Sequence, residues 1–168
     1  LGQAFARCRG IQETNSELIV FVDDDNVLNP DFLEQVLRIS EAHQQIGVWS
    51  GQSIGSFETP PPDWAKPHLL MLALREFSED FTSMTKALDQ PLPYGAGMSV
   101  RRKVANAFAA AYQQQSWRSF LGRQGRALMS GEDTELSLLA LENGLGIGWF
   151  SRLKLKHLIP SSRLSKDY

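Results

Sequence analysis

A single cysteine, Cys8, is all the thiol chemistry in this 168-residue chain, which excludes an internal disulfide framework and any cysteine-rich metal centre and fits a reducing, cytoplasmic compartment. Lysine and arginine are interspersed with acids and nowhere gathered into a run. With a formal net charge of −2, the chain has no electrostatic footprint for nucleic acid, and no nucleic-acid partner is expected. No apolar stretch reaches the length of a bilayer span. Internal repeats and low-complexity segments are missing as well. What is present, 42% apolar and 21% charged residues, suffices for one globular domain with a proper core, expected to span residues 1–168.

The chain opens on helical spacing, with Ala4, Phe5, Cys8 and Ile11 on one face and no cap before Leu1, as expected of a piece of a longer protein. Glu17 to Val22 is a short continuous apolar run, the pattern of a strand covered on both faces as in a parallel sheet. Asn29, Pro30 and Asp31 then read as N-cap, first-turn proline and first-turn acid of a helix whose buried stripe is Phe32, Leu33, Val36 and Leu37. Ile46 to Gln52 predicts a second strand, Ser56 to Pro67 a proline-stiffened loop, and Leu69 to Phe77 a helix. Leu92 to Val100 predicts a glycine-interrupted strand, followed by a helix over about Arg102 to Gln114. Ser130, Gly131 and Glu132 lead into another helix, with Leu136, Leu139 and Ala140 inward and Asn143 and Gly144 as its C-cap. Ile147 to His157 is a long last strand. This order of elements predicts an α/β fold with one mixed sheet flanked by helices.

Two acidic clusters stand out. Asp23, Asp24 and Asp25 fall at the carboxyl end of a strand, where open α/β sheets bind ligands. Three adjacent carboxylates repel one another unless a cation is shared, and oxygen ligands of this kind suit Mg²⁺ or Mn²⁺. In an extended segment Asp23 and Asp25 point to one side and could address one ion; the alternative is a solvated turn closed by Asx-type hydrogen bonds. The second cluster, GEDTEL from Gly131 to Leu136, places Glu132 and Asp133 in a helix's first turn, where acids also serve as macrodipole complements. Together the clusters permit a division of labour in which one holds a cation and the other takes a proton from a nucleophile. Trp49, Trp64 and Trp149 either line a groove or fill the core, and Arg101 and Arg102 either meet phosphate or lie in solvent.

VDDDN at a strand end, then YGAGMSVRR, then GEDTEL before a helix, then HLIPSSR, in that order over nearly the whole chain, resembles the later two thirds of a family 2 inverting glycosyltransferase with the GT-A fold. The resemblance implies transfer of a sugar from a nucleotide-diphosphate sugar to an acceptor hydroxyl (glycan, lipid-linked or small molecule) with inversion. It implies Asp25, with Asp23, as metal ligands for Mn²⁺ or Mg²⁺, and Asp23 and Asp24 on the ribose and sugar side. Asp133 becomes the general base, with Glu132 in support. Gly95, Ala96, Gly97 and Met98 would lie against the donor sugar, where missing side chains let a ligand approach the backbone; the alternative for each glycine is a bulged strand. His157 would complete the metal shell or serve a structural role at its strand end, and Arg163 would close over the diphosphate or belong to a frayed terminus.

Family members begin with a further strand and acidic turn that hold the nucleoside. Those are not found here, so an N-terminally truncated fold with an exposed sheet edge is expected, together with self-association and, in the full-length protein, peripheral attachment to a membrane. Two other functions compete: a noncatalytic carbohydrate-binding or assembly module of the same fold, and a metal-dependent phosphohydrolase, whose usual signature this sequence lacks after Asp25.

Overall fold

The computed structural model describes residues 2–85, 92–114 and 131–165. Its elements are α1 (Gln3–Gln12), β1 (Leu18–Phe21), β2 (Asn26–Leu28), α2 (Phe32–Ala42), β3 (Ile46–Phe57), β4 (Phe81–Ser83), β5 (Met98–Arg101), α3 (Arg102–Gln114), α4 (Glu132–Glu142) and β6 (Gly146–Ile159), with short 3₁₀ helices at Lys66–Leu72 and Ser161–Leu164. Six strands form one mixed sheet in the order β1-β5-β3-β6-β2, and β4 also pairs with β6. The β3–β6 pair is parallel, and the other pairings are antiparallel.

The sheet is covered on both faces. On one, α1, α3 and α4 bring Cys8, Ile11, Phe108 and Leu136 against Val48, Met98, Val100 and Ile147. On the other, α2 packs Phe32, Val36 and Ile39 onto Trp49, Phe150, Leu153 and Leu155. Each such fully buried large side chain stabilises the fold by about 1.5–3 kcal/mol relative to its exposure. Burial pushes the Cys8 thiol up to about 11, so this cysteine behaves as a small apolar core residue.

β6 shows how the sequence encodes these layers. Its first five residues are all buried, and after Ser151 the pattern alternates, with Arg152, Lys154 and Lys156 outward and Leu153, Leu155, His157 and Ile159 inward. Period-2 alternation thus assigns His157 an inward place where the neighbouring positions are apolar. Asp80 ties the approach to β4 onto the same strand, accepting from Ser151 N at 2.7 Å and Ser151 Oγ at 2.8 Å. Desolvation raises its carboxyl pKa, but these bonds and Arg152 outweigh that, and the net shift is downward.

Several expectations need correction. The apolar run of β1 is covered on both faces, with Ile19 and Phe21 against one core and Leu18 and Val20 against the other; yet β1 pairs antiparallel with β5 at the end of the sheet, not within a parallel one. The buried stripe of α2 is Phe32, Val36 and Ile39, while Leu33 and Leu37 are exposed, because they lie on the flank of a narrower contact. Phe5 likewise points outward, and Arg7 takes a place on the buried face of α1. The helix expected over Leu69 to Phe77 is a 3₁₀ helix ending at Leu72; Ala73 is left-handed, and Arg75 returns to pair with Ser53. Asp31, not Asn29, occupies the N-cap of α2, with the Phe32 amide donating to the Asn29 carbonyl. The expected lead-in residue Ser130 lies outside the described residues.

Gly97 has φ +66°, and a Cβ there would stand 2.7 Å from Leu155 Cδ2 and 3.0 Å from Phe32 Cζ. Both the left-handed backbone and the space demand glycine. Gly97→Ala is therefore expected to lower unfolding stability by about 2–4 kcal/mol, the sum of backbone strain and overpacking. Urea denaturation of the full chain measures it; a loss below about 1 kcal/mol would mean that the core around Leu155 yields freely.

Candidate functional site

At the end of β1 the chain turns sharply, with the Asn26 amide donating to the Asp23 carbonyl at 3.0 Å. The three aspartates therefore occupy a turn, and the extended alternation expected of them does not apply. Asp23 turns toward α1, where its Oδ1 accepts from Gln3 Nε2 at 3.0 Å. Asp24 is exposed. Asp25 faces β6, since pairing of β2 with β6 sets Asn26 opposite His157 and the Leu158 amide donates to the Asp25 carbonyl at 2.8 Å.

Asp25 is closely partnered. Its Oδ1 accepts from Asn26 Nδ2 at 3.0 Å, and its Oδ2 lies 2.8 Å from Arg163 Nη2 and 3.3 Å from His157 Nε2. Arg163 sits on an anchored turn, because Leu164 is buried against Ala65 and Ile159 and the Ser161 amide donates to Glu58 at 2.8 Å. A frayed terminus at Arg163 is thereby excluded.

The second acidic cluster is held from the other side. Glu132 is buried, accepts from the Gly131 amide at 3.1 Å, and faces the equally buried Arg7 at 3.7 Å. Asp133 is only half-buried. One of its oxygens accepts from the Thr134 amide at 2.8 Å and the other from the Gly95 amide at 3.3 Å. Each oxygen keeps lone pairs beyond these bonds with which to receive a proton.

All of these groups open onto one cavity of about 600 Å³, lined by Asp23, Asp24, Asp25, Glu132, Asp133, Gly95, Ala96, His157 and Arg163 among others. Two expectations fare differently. Gly97 and Met98 are not among the lining residues; Gly97 packs against Leu155 and Phe32, and Met98 is fully buried. Arg101 and Arg102 are engaged by backbone: Arg101 donates to the Ser40, His43 and Ile46 carbonyls, and Arg102 to the Ile11 and Ser16 carbonyls, so both tie down helix ends.

Gln3, Arg7 and Tyr94 also line the cavity without having been expected from the sequence. Arg7 carried a signal: with Ala4, Cys8 and Ile11 it completes an i, i+3, i+4, i+7 face, and a charge on an otherwise apolar face calls for a partner. Its guanidinium lies over the Phe21 ring at 5.2 Å, and its Nη1, though buried, has no hydrogen-bond partner among the described residues. A Cβ on Gly95 would stand 2.5 Å from Arg7 Nη2, so a larger residue there would have to displace the guanidinium. Tyr94 borders a second, apolar cavity of about 810 Å³ through Arg75, whose guanidinium stacks between Tyr94 and Trp149 at 4.4 and 4.5 Å. Of the tryptophans, Trp49 is core, Trp149 is a buried wall of that second cavity, and Trp64 is exposed.

The described residues contain no group of three or more His, Cys, Asp or Glu side chains arranged to hold a metal. Asp25 Oδ2 and His157 Nε2 lie 3.3 Å apart at the wall of the cavity. No described helix is long and apolar enough to cross a membrane.

No curated protein matches the chain in sequence. A crystal structure of residues 1–349 of TarS from S. aureus is similar in fold, with a TM-score of 0.56 and 16% identity. The match covers 95% of this chain and 40% of that one, so the chain spans well under half the length of its structural relative. The mixed sheet flanked by helices is that of a GT-A-like fold. The family described as Glycosyltransferase like family 2 matches residues 2–165, and the chain belongs to that family.

Proposed function

We propose that this chain carries the catalytic part of an inverting glycosyltransferase, which moves a sugar from a nucleotide-diphosphate donor to an acceptor hydroxyl. The observation that carries the reading is the convergence of the Asp23–Asp25 turn and Asp133 on a single cavity, with the base on one wall and the acidic turn on another.

Charge supports a metal-assisted donor site. Five carboxylates line the cavity against two guanidiniums, those of Arg7 and Arg163. An excess of negative charge repels a diphosphate unless a cation accompanies it. Bound Mn²⁺ or Mg²⁺ would supply charge neutralisation of the departing diphosphate. Asp25 and His157 are the residues to hold it.

The remaining roles follow from what each group offers. Asp23 and Asp24 accept hydrogen bonds from donor hydroxyls. Gly95 and Ala96 present backbone without bulk to the sugar. Arg7 faces Glu132 at 3.7 Å and places a positive charge in the cavity wall beside it. Asp133 accepts the proton of the acceptor hydroxyl as that oxygen bonds to the anomeric carbon, and the bond from that carbon to the diphosphate oxygen breaks on the opposite face. The Gly95 amide fixes the carboxylate during the transfer. No covalent intermediate is needed.

Two substitutions separate the roles. Asp25→Ala is expected to weaken Mn²⁺-dependent binding of nucleoside diphosphate by about tenfold or more in calorimetric titration of the full-length protein. Asp133→Asn should leave that binding within about threefold of the parent while lowering transfer by roughly 10²–10⁴-fold. Equal loss of binding in both variants would undo the assignment. Tight donor binding without transfer by the parent protein would point to a noncatalytic module, and phosphate release from simple phosphomonoesters to a hydrolase.

A further inference from the structure

Asp25, His157 and Arg163 meet in an arrangement that ordinary hydrogen bonding does not satisfy. Arg163 Nη1 lies 3.0 Å from His157 Nε2, the same nitrogen that lies 3.3 Å from Asp25 Oδ2. A guanidinium has only donors, so Arg163 donates and Nε2 accepts, which leaves the ring proton on Nδ1. Nε2 then turns a lone pair toward a carboxylate oxygen, and Nδ1 is buried with no partner among the described residues. With the proton on Nε2 instead, Asp25 is served and the N–H groups of His157 and Arg163 confront each other. Neither tautomer suits both neighbours. An imidazole lone pair beside a carboxylate is satisfied by one positive charge facing both, and the guanidinium is that charge here, 2.8 Å from Asp25.

The arm that delivers this charge can leave without disturbing its base. Leu164 and the Ser161 amide hold the backbone of the last 3₁₀ turn, whereas the Arg163 side chain is 22% exposed and swings on rotatable bonds. We propose that Arg163 is an internal counter-cation: it neutralises Asp25 and His157 while the donor site is empty and gives way to a divalent cation when a diphosphate enters and offers the guanidinium a new partner. This rests on the donor reading above. Its consequence is linkage: metal and Arg163 compete for one place in the absence of donor, and the diphosphate relieves the competition, so metal and donor strengthen each other's binding.

Mn²⁺ alone, titrated into the full chain and followed by the electron paramagnetic resonance of the free ion, tests the competition without any turnover. Arg163→Ala and Arg163→Gln are each expected to bind Mn²⁺ roughly three- to tenfold more tightly than the parent, the range for a charge-assisted contact discounted for partial exposure. Asp25→Asn added to either variant should abolish that gain. With uridine or guanosine diphosphate present, the increase in Mn²⁺ affinity caused by the nucleotide should be smaller in the Arg163 variants than in the parent. Unchanged or weaker Mn²⁺ binding in a folded Arg163 variant, or a gain that survives loss of Asp25, would overturn the proposal. The two substitutions guard against one failing to fold. A gain in Mn²⁺ binding that persists where no nucleoside diphosphate binds upholds the counter-cation and sinks the donor reading instead.

Discussion

The parallel pairing of β3 with β6 is the constraint from which the site follows. Along most of its length β6 is fixed to β3, with Gly55 opposite His157 and Phe57 opposite Ile159. β2 reads its register from the opposite edge of the same strand, placing Asn26 across from His157. A slip of one residue would turn His157 to solvent and carry Asp25 past it, because side chains alternate with period 2. The fully buried first part of β6, with Trp149 and Phe150 on opposite faces of the sheet, is what makes such a slip costly.

Charge within the cavity is managed by pairing acids with arginines from distant elements. Arg7 of α1 meets Glu132 of α4, and Arg163 of the last turn meets Asp25. The first pair is buried on both sides, so removing either partner would strand a charge in low dielectric. The second is more open, which suits a contact that can be exchanged. Asp24 and Asp133 are left more accessible than Glu132, and accessibility is what a group needs if it is to meet a substrate directly.

Much of the framework was legible in the sequence because periodicity reports burial. The extent of α3, the inward face of α4 and the long last strand all follow from apolar spacing that the core uses directly. Leu33 and Leu37 were misread since a helix of this composition has more apolar residues than the sheet it covers can bury. β1 was misread because a continuous apolar run records coverage on two faces and carries no information on strand direction. The candidate site divides the same way. Asp25, His157, Asp133 and Gly95 come together as their motifs imply, whereas Arg7 could be found only by asking what a charge does on a buried face. Gly97 illustrates the reverse error, since a glycine in a motif can answer to backbone and core alone.

Asp25 and Asp133 reach one cavity through supports that share almost nothing. Asp25 depends on the β2–β6 register and on Arg163, whereas Asp133 depends on the first turn of α4 and one amide of the segment leading into β5. Interactions without common partners perturb one another little. A change of charge at the acidic turn therefore need not move the carboxylate across the cavity. For the transfer proposed above, that separation would let leaving-group stabilisation and proton removal occur together without each setting the other's geometry.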